Sequence, residues 1–110
     1  LAAYKRAANI LKAADGVDAA APAPADLVGE ERALLTALDT AAPNAAAAVD
    51  AEDFEGAMAA LTSLRAPIDA FFEGVMVNDE DPAKRAFRLG LLARFRDAVH
   101  RVADFAKIEG

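Results

Sequence analysis

Basic side chains near the start of the sequence have a spacing that could serve a chemical purpose. Lys5, Asn9 and Lys12 follow an i, i+4, i+7 pattern that places them on one face of a helix, and Arg6 flanks that face. Such a face is usually just solvated, but its wholly positive charge and its amide also suit an anionic partner. Two interpretations follow, a solvated surface and a binding surface.

Arg88 is a second unusual basic residue, because its position projects it towards the apolar stripe of the last long stretch. A guanidinium there is unfavourable unless a partner or water satisfies its N–H groups. One alternative is an arginine that is ion-paired or extends its head to solvent. The other is an arginine that contacts a phosphate or a base at the rim of the core.

The residue types needed for catalysis or metal binding are sparse. His100 is the only histidine, Ser63 is the only serine, and cysteine is absent. His100 has no carboxylate at a spacing that indicates a dyad, and no glycine-rich phosphate loop occurs. The acidic run Asn78–Asp81 lacks the spacing of a calcium loop and is better explained as stabilising a helix N-terminus. The sequence therefore predicts no catalytic site and no metal site in this chain.

Charge is distributed unevenly along the 110 residues. The net charge is −6, but residues 1–14 carry +3, residues 15–81 carry −13 and residues 82–110 carry +4. Ten of the twelve basic residues lie in the two end segments. This asymmetry matters more than the net charge when a polyanion is the candidate partner.

The elements that would position these residues are helices. The alanine-rich composition favours helix formation, and Pro43 and Pro67 are expected to end one helix and open another. Helices are predicted over residues 1–14, 27–42 and 45–49, from Asp50 as N-cap with Asp53 in capping-box position, from Pro67, and from Pro82 to Ile108. We expect a single all-α bundle of about five helices ending in one long C-terminal helix, with residues 15–26 as a flexible linker between the first two helices.

The predicted core follows the helical repeat. Glu30, Glu31 and Arg32 are expected to face water. The expected core residues are Leu34, Leu35, Leu38, Phe54, Met58, Leu61, Ile68, Phe71, Phe72, Val75, Phe87, Leu91, Phe95, Ala98, Val99, Val102 and Phe105.

The cellular compartment is constrained by composition. No apolar run approaches the ~20 residues that span a bilayer, and no signal peptide is evident at the start. The absence of cysteine fits a reducing compartment. We expect a cytoplasmic protein without a membrane partner. Because the chain begins at Leu1, we also expect it to be a fragment or processed piece.

Four segments together resemble one protein family in order and spacing. They are KRAANIL (5–11), LRAPIDAFFEGVMVND (64–79), DPAKRAFRLGLL (81–92) and VADFAKI (102–108). The chain resembles the C-terminal region of the bacterial glycyl-tRNA synthetase beta subunit, a DALR-type anticodon-binding domain. It departs from the family pattern at Lys84, Phe87 and Ala106, where leucine, asparagine and serine are common.

The resemblance implies that residues 1–110 form one anticodon-binding domain. The parent enzyme would join glycine to its tRNA using ATP and Mg²⁺, with alpha subunits supplying the aminoacylation site, so this chain would hold no cofactor. Basic residues would engage phosphates, and side chains would read unstacked bases. The candidates for tRNA binding are Lys5, Arg6, Asn9, Lys12, Lys84, Arg85 and Arg88, and the acidic middle would face away from the RNA.

Two alternatives remain open at this point. The related C-terminal domain of arginyl-tRNA synthetase also binds an anticodon, although the VMVN and VADFAKI segments favour the glycyl beta subunit. The second alternative is a helical module that docks a partner subunit and makes no RNA contact.

Overall fold

The computed structural model of the chain describes residues 2–14, 29–75 and 81–109. These ranges contain four helices: α1 (Ala2–Ala13), α2 (Gly29–Asp50), α3 (Phe54–Gly74) and α4 (Pro82–Glu109). No strand occurs in the described ranges. The predicted all-α bundle with one long C-terminal helix is confirmed, and the predicted count of about five helices is corrected to four. The predicted linker at residues 15–26 lies outside the described residues.

The two prolines account for the difference in helix number. Pro43 lies inside α2 and Pro67 lies inside α3, so the predicted break after residue 42 and the predicted helix start at Pro67 are both wrong. A proline inside a helix removes one backbone hydrogen bond and crowds the preceding turn. Buried residues lie on both sides of each proline, such as Ala41 and Ala45 in α2. We infer that this packing outweighs the local cost and keeps each helix continuous.

The connection between α2 and α3 also differs from the prediction. Asp50 is the last residue of α2, and the N-cap of α3 is Asp53, whose carboxylate Oδ1 accepts the N–H of Gly56 at 3.0 Å. The N–H of Asp53 donates to the carbonyl of Ala48 at 2.7 Å, and that of Glu52 donates to Val49 at 3.1 Å. These two bonds form a Schellman motif, which ends α2 one turn before α3 begins.

The start of α4 follows the prediction. Pro82 is its first residue, and the Oδ1 atom of Asp81 accepts the N–H of Ala83 at 2.9 Å. The predicted stripe from Phe87 to Phe105 is buried throughout. All seven residues from Phe87 to Ala93 are buried, because α1, α2 and α3 all pack against α4. The first half of α4 is therefore a central helix rather than a one-sided amphipathic one.

Long-range contacts fix the helix directions. Glu31 forms a salt bridge with Arg88, and Asp39 forms one with Arg94. Because the later residue of α2 pairs with the later residue of α4, the two helices run parallel. Phe54 lies beside Phe105, with ring centroids 6.3 Å apart, so α3 begins where α4 ends. The larger core cluster lies between α1, the second half of α3 and the first half of α4, and it includes Leu34, Leu38 and Ala41 of α2. An alanine-rich cluster at the other end lies around Val102 and Phe105.

Three residues depart most from the predicted burial, while Leu35 and Leu61, also expected in the core, are half-buried against it. Glu31 was expected to face water, but only 1% of its surface is exposed. Phe54 and Met58 were expected in the core, but 43% and 41% of their surfaces are exposed. Glu31 shares its helix face with Leu34 and Leu38, so the helical repeat places it in the core. Phe54 is the first residue of α3, at the end of the bundle, where fewer elements cover it.

Candidate nucleic-acid interface

The outer face of α1 carries three of the predicted binding residues. Lys5, Asn9 and Lys12 are all exposed, while Ala7 and Leu11 on the opposite face are buried. Neither lysine forms a salt bridge with any described residue. The helical spacing therefore produces an exposed cationic face, as the sequence predicted. Its binding role stays a prediction.

Arg6 lies on the edge of that face and turns towards α3. Its guanidinium carbon is 4.5 Å from the centroid of the Phe72 ring. This distance and placement define a cation–π contact, in which the ring quadrupole attracts the cation. The contact holds the Arg6 guanidinium close to the C-terminal end of α3 and the N-terminal end of α4.

A groove of about 790 Å³ lies beside this contact. We call it the α1/α3/α4 groove, because α1, the end of α3 and the start of α4 line it. Its lining includes Arg6, Ile10, Phe72, Glu73, Arg85 and Leu89. The volume falls in the range of small-ligand sites, and apolar surface with a few polar groups is typical of such sites.

The start of α4 contributes two further candidates. Arg85 is exposed and lines the α1/α3/α4 groove, facing it together with Arg6. Lys84 is half-buried in the first turn of α4 and is not part of the groove lining. The structure thus brings Arg6 and Arg85 to one groove from segments that are far apart in the sequence.

Arg88 has a different environment from the other candidates. Its Nε atom donates to Oε2 of Glu31 at 2.8 Å, and 5% of the Arg88 surface is exposed. The ion-paired alternative for Arg88 is therefore what the structure shows. A contact between this guanidinium and RNA would require the pair to open, and the tRNA-binding role of Arg88 stays a prediction.

His100 joins α1 to α4. Its Nε2 atom is hydrogen-bonded to the hydroxyl of Tyr4, and the two rings meet edge to face with centroids 5.4 Å apart. The contact anchors the beginning of α1 on the second half of α4.

Phe72 and Glu73 were not singled out as site residues from the sequence. Phe72 was assigned to the core, and it is indeed 9% exposed, yet its ring also supports Arg6. Arg6 and Phe72 are 66 positions apart, so no local spacing reveals their contact. The one sequence signal for Phe72 and Glu73 as site residues is a pair of phenylalanines followed directly by an acid within an apolar segment.

Two negative findings apply to the described residues. Residues 2–14, 29–75 and 81–109 contain no group of three or more histidine, aspartate or glutamate side chains placed to hold a metal ion. Among the helices in the same ranges, none combines the length and apolar character needed to cross a membrane. Of the predicted acidic run, only Asp81 is described, and its carboxylate caps α4.

The chain is similar to known proteins along nearly its whole length. It is 49% identical to the glycine–tRNA ligase beta subunit of Rhodospirillum centenum, over all of this chain and 16% of that protein. It is 49% identical to that of Thiobacillus denitrificans, over 97% of this chain and 15% of that protein. It is 50% identical to that of Dinoroseobacter shibae, over all of this chain and 16% of that protein.

The chain therefore spans about one-sixth of the length of these curated relatives. No solved structure shows significant similarity to it. The model of one domain family, described as the DALR anticodon binding domain, matches residues 1–109. That match covers all four described helices and every candidate side chain. The chain belongs to the DALR anticodon binding domain family.

Proposed function

We propose that this chain is the anticodon-binding domain of a glycine–tRNA ligase beta subunit and that it binds the anticodon arm of glycine tRNA. The observation that carries the proposal is the match of residues 1–109 to an anticodon-binding family. The identity of 49–50% to beta subunits over nearly the whole chain supports the choice of enzyme.

The distribution of exposed cations is compatible with this role. Lys5 and Lys12 lie on the outer face of α1, and Arg6 and Arg85 line the adjoining α1/α3/α4 groove. Exposed lysines can neutralise phosphates along an RNA strand, which makes the affinity dependent on salt. A groove with an aromatic ring and guanidinium groups can hold an unstacked base by stacking.

The role in the enzyme would be indirect. The parent beta subunit would act with an alpha subunit, and the ATP- and Mg²⁺-dependent joining of glycine to tRNA would take place outside this domain. Holding the anticodon would orient the tRNA, so that its acceptor end reaches the aminoacylation site. A soluble translation enzyme of this kind would work in the cytoplasm.

The test is a titration of this chain with three RNAs at two salt concentrations. They are glycine tRNA, the same tRNA with its anticodon replaced, and arginine tRNA as the non-cognate control. We expect the tightest binding to glycine tRNA, loss of that preference on anticodon replacement, and weaker binding of all three RNAs at the higher salt concentration.

Each other outcome contradicts the proposal in a different way. Equal, weak and salt-sensitive binding to all three RNAs would mean that the domain contributes electrostatic attraction without anticodon recognition. A preference for arginine tRNA would favour an arginyl enzyme. No binding even at low salt would favour a module that docks another subunit.

A further inference from the structure

Glu73 is an anionic side chain in a groove whose other charged lining residues are Arg6 and Arg85. Its side chain is exposed. Within the part of the chain that the structure describes, its carboxylate forms no hydrogen bond or salt bridge. Its acceptor oxygens are therefore available to a ligand in the α1/α3/α4 groove.

The position of Glu73 is unfavourable for helix stability. It precedes Gly74, the last residue of α3, so it lies where the partial negative charge of the helix macrodipole is concentrated. A second carboxylate is near, because a Cβ atom at Gly74 would lie 2.8 Å from Oε1 of Glu30. The helix dipole and Glu30 therefore both disfavour an acid at this position, and the cations that compensate for it are Arg6 and Arg85 of the groove itself.

The surroundings of Glu73 suit a nucleobase. The Phe72 ring carries the Arg6 guanidinium on its face at 4.5 Å, and planar guanidinium groups stack on bases. Ile10 and Leu89 add apolar surface to the same lining. Phosphates of the RNA would be attracted by Arg6 and Arg85 but repelled by Glu73. The carboxylate is thus better suited to a base edge than to the RNA backbone.

The donor and acceptor pattern narrows the choice of base. An ionised carboxylate only accepts hydrogen bonds. Cytosine presents the N4 amino group as a donor, and acidic side chains accept from this group in base recognition. Uracil presents the O4 atom, an acceptor, at the same position, so a carboxylate would face a repulsive partner.

We propose that Glu73 determines base specificity in the α1/α3/α4 groove by accepting a hydrogen bond from the amino group of an anticodon cytosine. This inference rests on the proposed function and deepens it. The glycine codons GGN pair with anticodons whose second and third nucleotides are cytosines, so an amino-bearing base is present at both invariant positions.

The experiment uses the RNA hairpin that contains the anticodon stem and loop of glycine tRNA, and two variants in which one of these cytosines is replaced by uracil. Binding is measured for the unmodified chain, for Glu73→Gln and for Asp69→Asn. Asp69 is an exposed carboxylate one turn earlier in α3 and outside the groove lining. Both substitutions remove one negative charge, so they change the general attraction for RNA alike.

We expect the unmodified chain to bind the hairpin about tenfold more tightly than one of the two uracil variants. In Glu73→Gln this ratio should fall to about one, since an amide can accept from cytosine and donate to uracil. In Asp69→Asn the ratio should be unchanged. In Glu73→Ala the ratio of the two affinities should also fall to about one. The thermal unfolding midpoint of each variant verifies that it folds.

The assignment would be overturned if both Glu73 variants kept the tenfold preference for cytosine over uracil. It would also be overturned if Asp69→Asn lost that preference to the same extent as the Glu73 variants. Failure of the proposed function has a different signature. The unmodified chain would then bind all three hairpins equally or not at all, which overturns the assignment without reference to any variant.

Discussion

Two arginine–carboxylate pairs join α4 to α2, and they differ in their exposure to water. The Arg88–Glu31 and Arg94–Asp39 pairs have the same N–O distance, 2.8 Å. The side chains of the first pair are 7% and 2% exposed, while those of the second are 28% and 60% exposed. Desolvation therefore decides what each pair contributes to stability, because removing one partner leaves the other charge either buried or solvated.

Replacing Arg88 by methionine should lower the free energy of unfolding by about 3 kcal/mol, because it leaves the Glu31 carboxylate buried without its cation. The matched control, Arg94→Met, should lower it by less than about 1 kcal/mol, because Asp39 is solvated. Denaturation with urea measures both values. Similar losses in the two variants would contradict this account, as would a Glu31→Leu/Arg88→Met double variant that recovers none of the lost stability.

The sequence indicated that Arg88 needed a partner, but it did not identify Glu31. The two residues are 57 positions apart, and a pairing over such a distance depends on how α2 and α4 cross. One signal was available, because Glu31, Leu34 and Leu38 follow the helical repeat and all three are buried. The polarity of Glu31 predicts solvent exposure and its helical spacing predicts burial, and the structure follows the spacing.

At the level of the elements, the prolines show where sequence signals are overridden. The sequence predicts a helix boundary at Pro43, Pro67 and Pro82, and of these three only Pro82 begins a helix. The local signal is the same in all three cases. Burial on both sides of Pro43 and Pro67 decides the outcome, and burial is a property of the assembled bundle.

Pro43→Ala should therefore raise the free energy of unfolding by about 2 kcal/mol. The substitution restores one backbone N–H and relieves crowding in the preceding turn, which stabilises the folded state. Part of this gain is offset because alanine gives the unfolded chain more conformational entropy than proline does. Pro82→Ala is the matched control and should lower the free energy of unfolding by less than about 1 kcal/mol, because the first helical residue needs no N–H donor and only the unfolded-state entropy changes. Calorimetric or chemical unfolding of both variants is the measurement, and equal shifts would show that the interior proline is not strained.

The end of α2 provides a second prediction at this level. Glu52 has φ of 57°, in the left-handed region where glycine is usual at this position of a Schellman motif. Glu52→Gly should stabilise the protein by about 1 kcal/mol. Glu52→Ala removes the same carboxylate but keeps the Cβ atom, so it should give no gain. If both variants were equally stabilised, the cause would be charge rather than backbone conformation.

For the whole molecule, the bundle gathers residues that the sequence separates. The charge pattern and the helical face of α1 were predictable, since both are local properties. The α1/α3/α4 groove was not, because Arg6, Phe72 and Arg85 reach it from three helices. Its prediction would require the crossing geometry of α1, α3 and α4, which no single segment encodes.

The division of charge makes a prediction about the affinity for tRNA. Lys5 and Arg85 are exposed at the proposed interface, while Arg32 and Arg65 are exposed cations of the acidic middle. Lys5→Gln and Arg85→Gln should each weaken binding and reduce the slope of log affinity against log salt by about 0.7 to 1, because each removes about one phosphate contact. Arg32→Gln and Arg65→Gln remove the same charge from the molecule and should leave the slope unchanged. Equal reductions in all four variants would mean that tRNA responds to net charge alone, and the acidic middle would then not face away from the RNA.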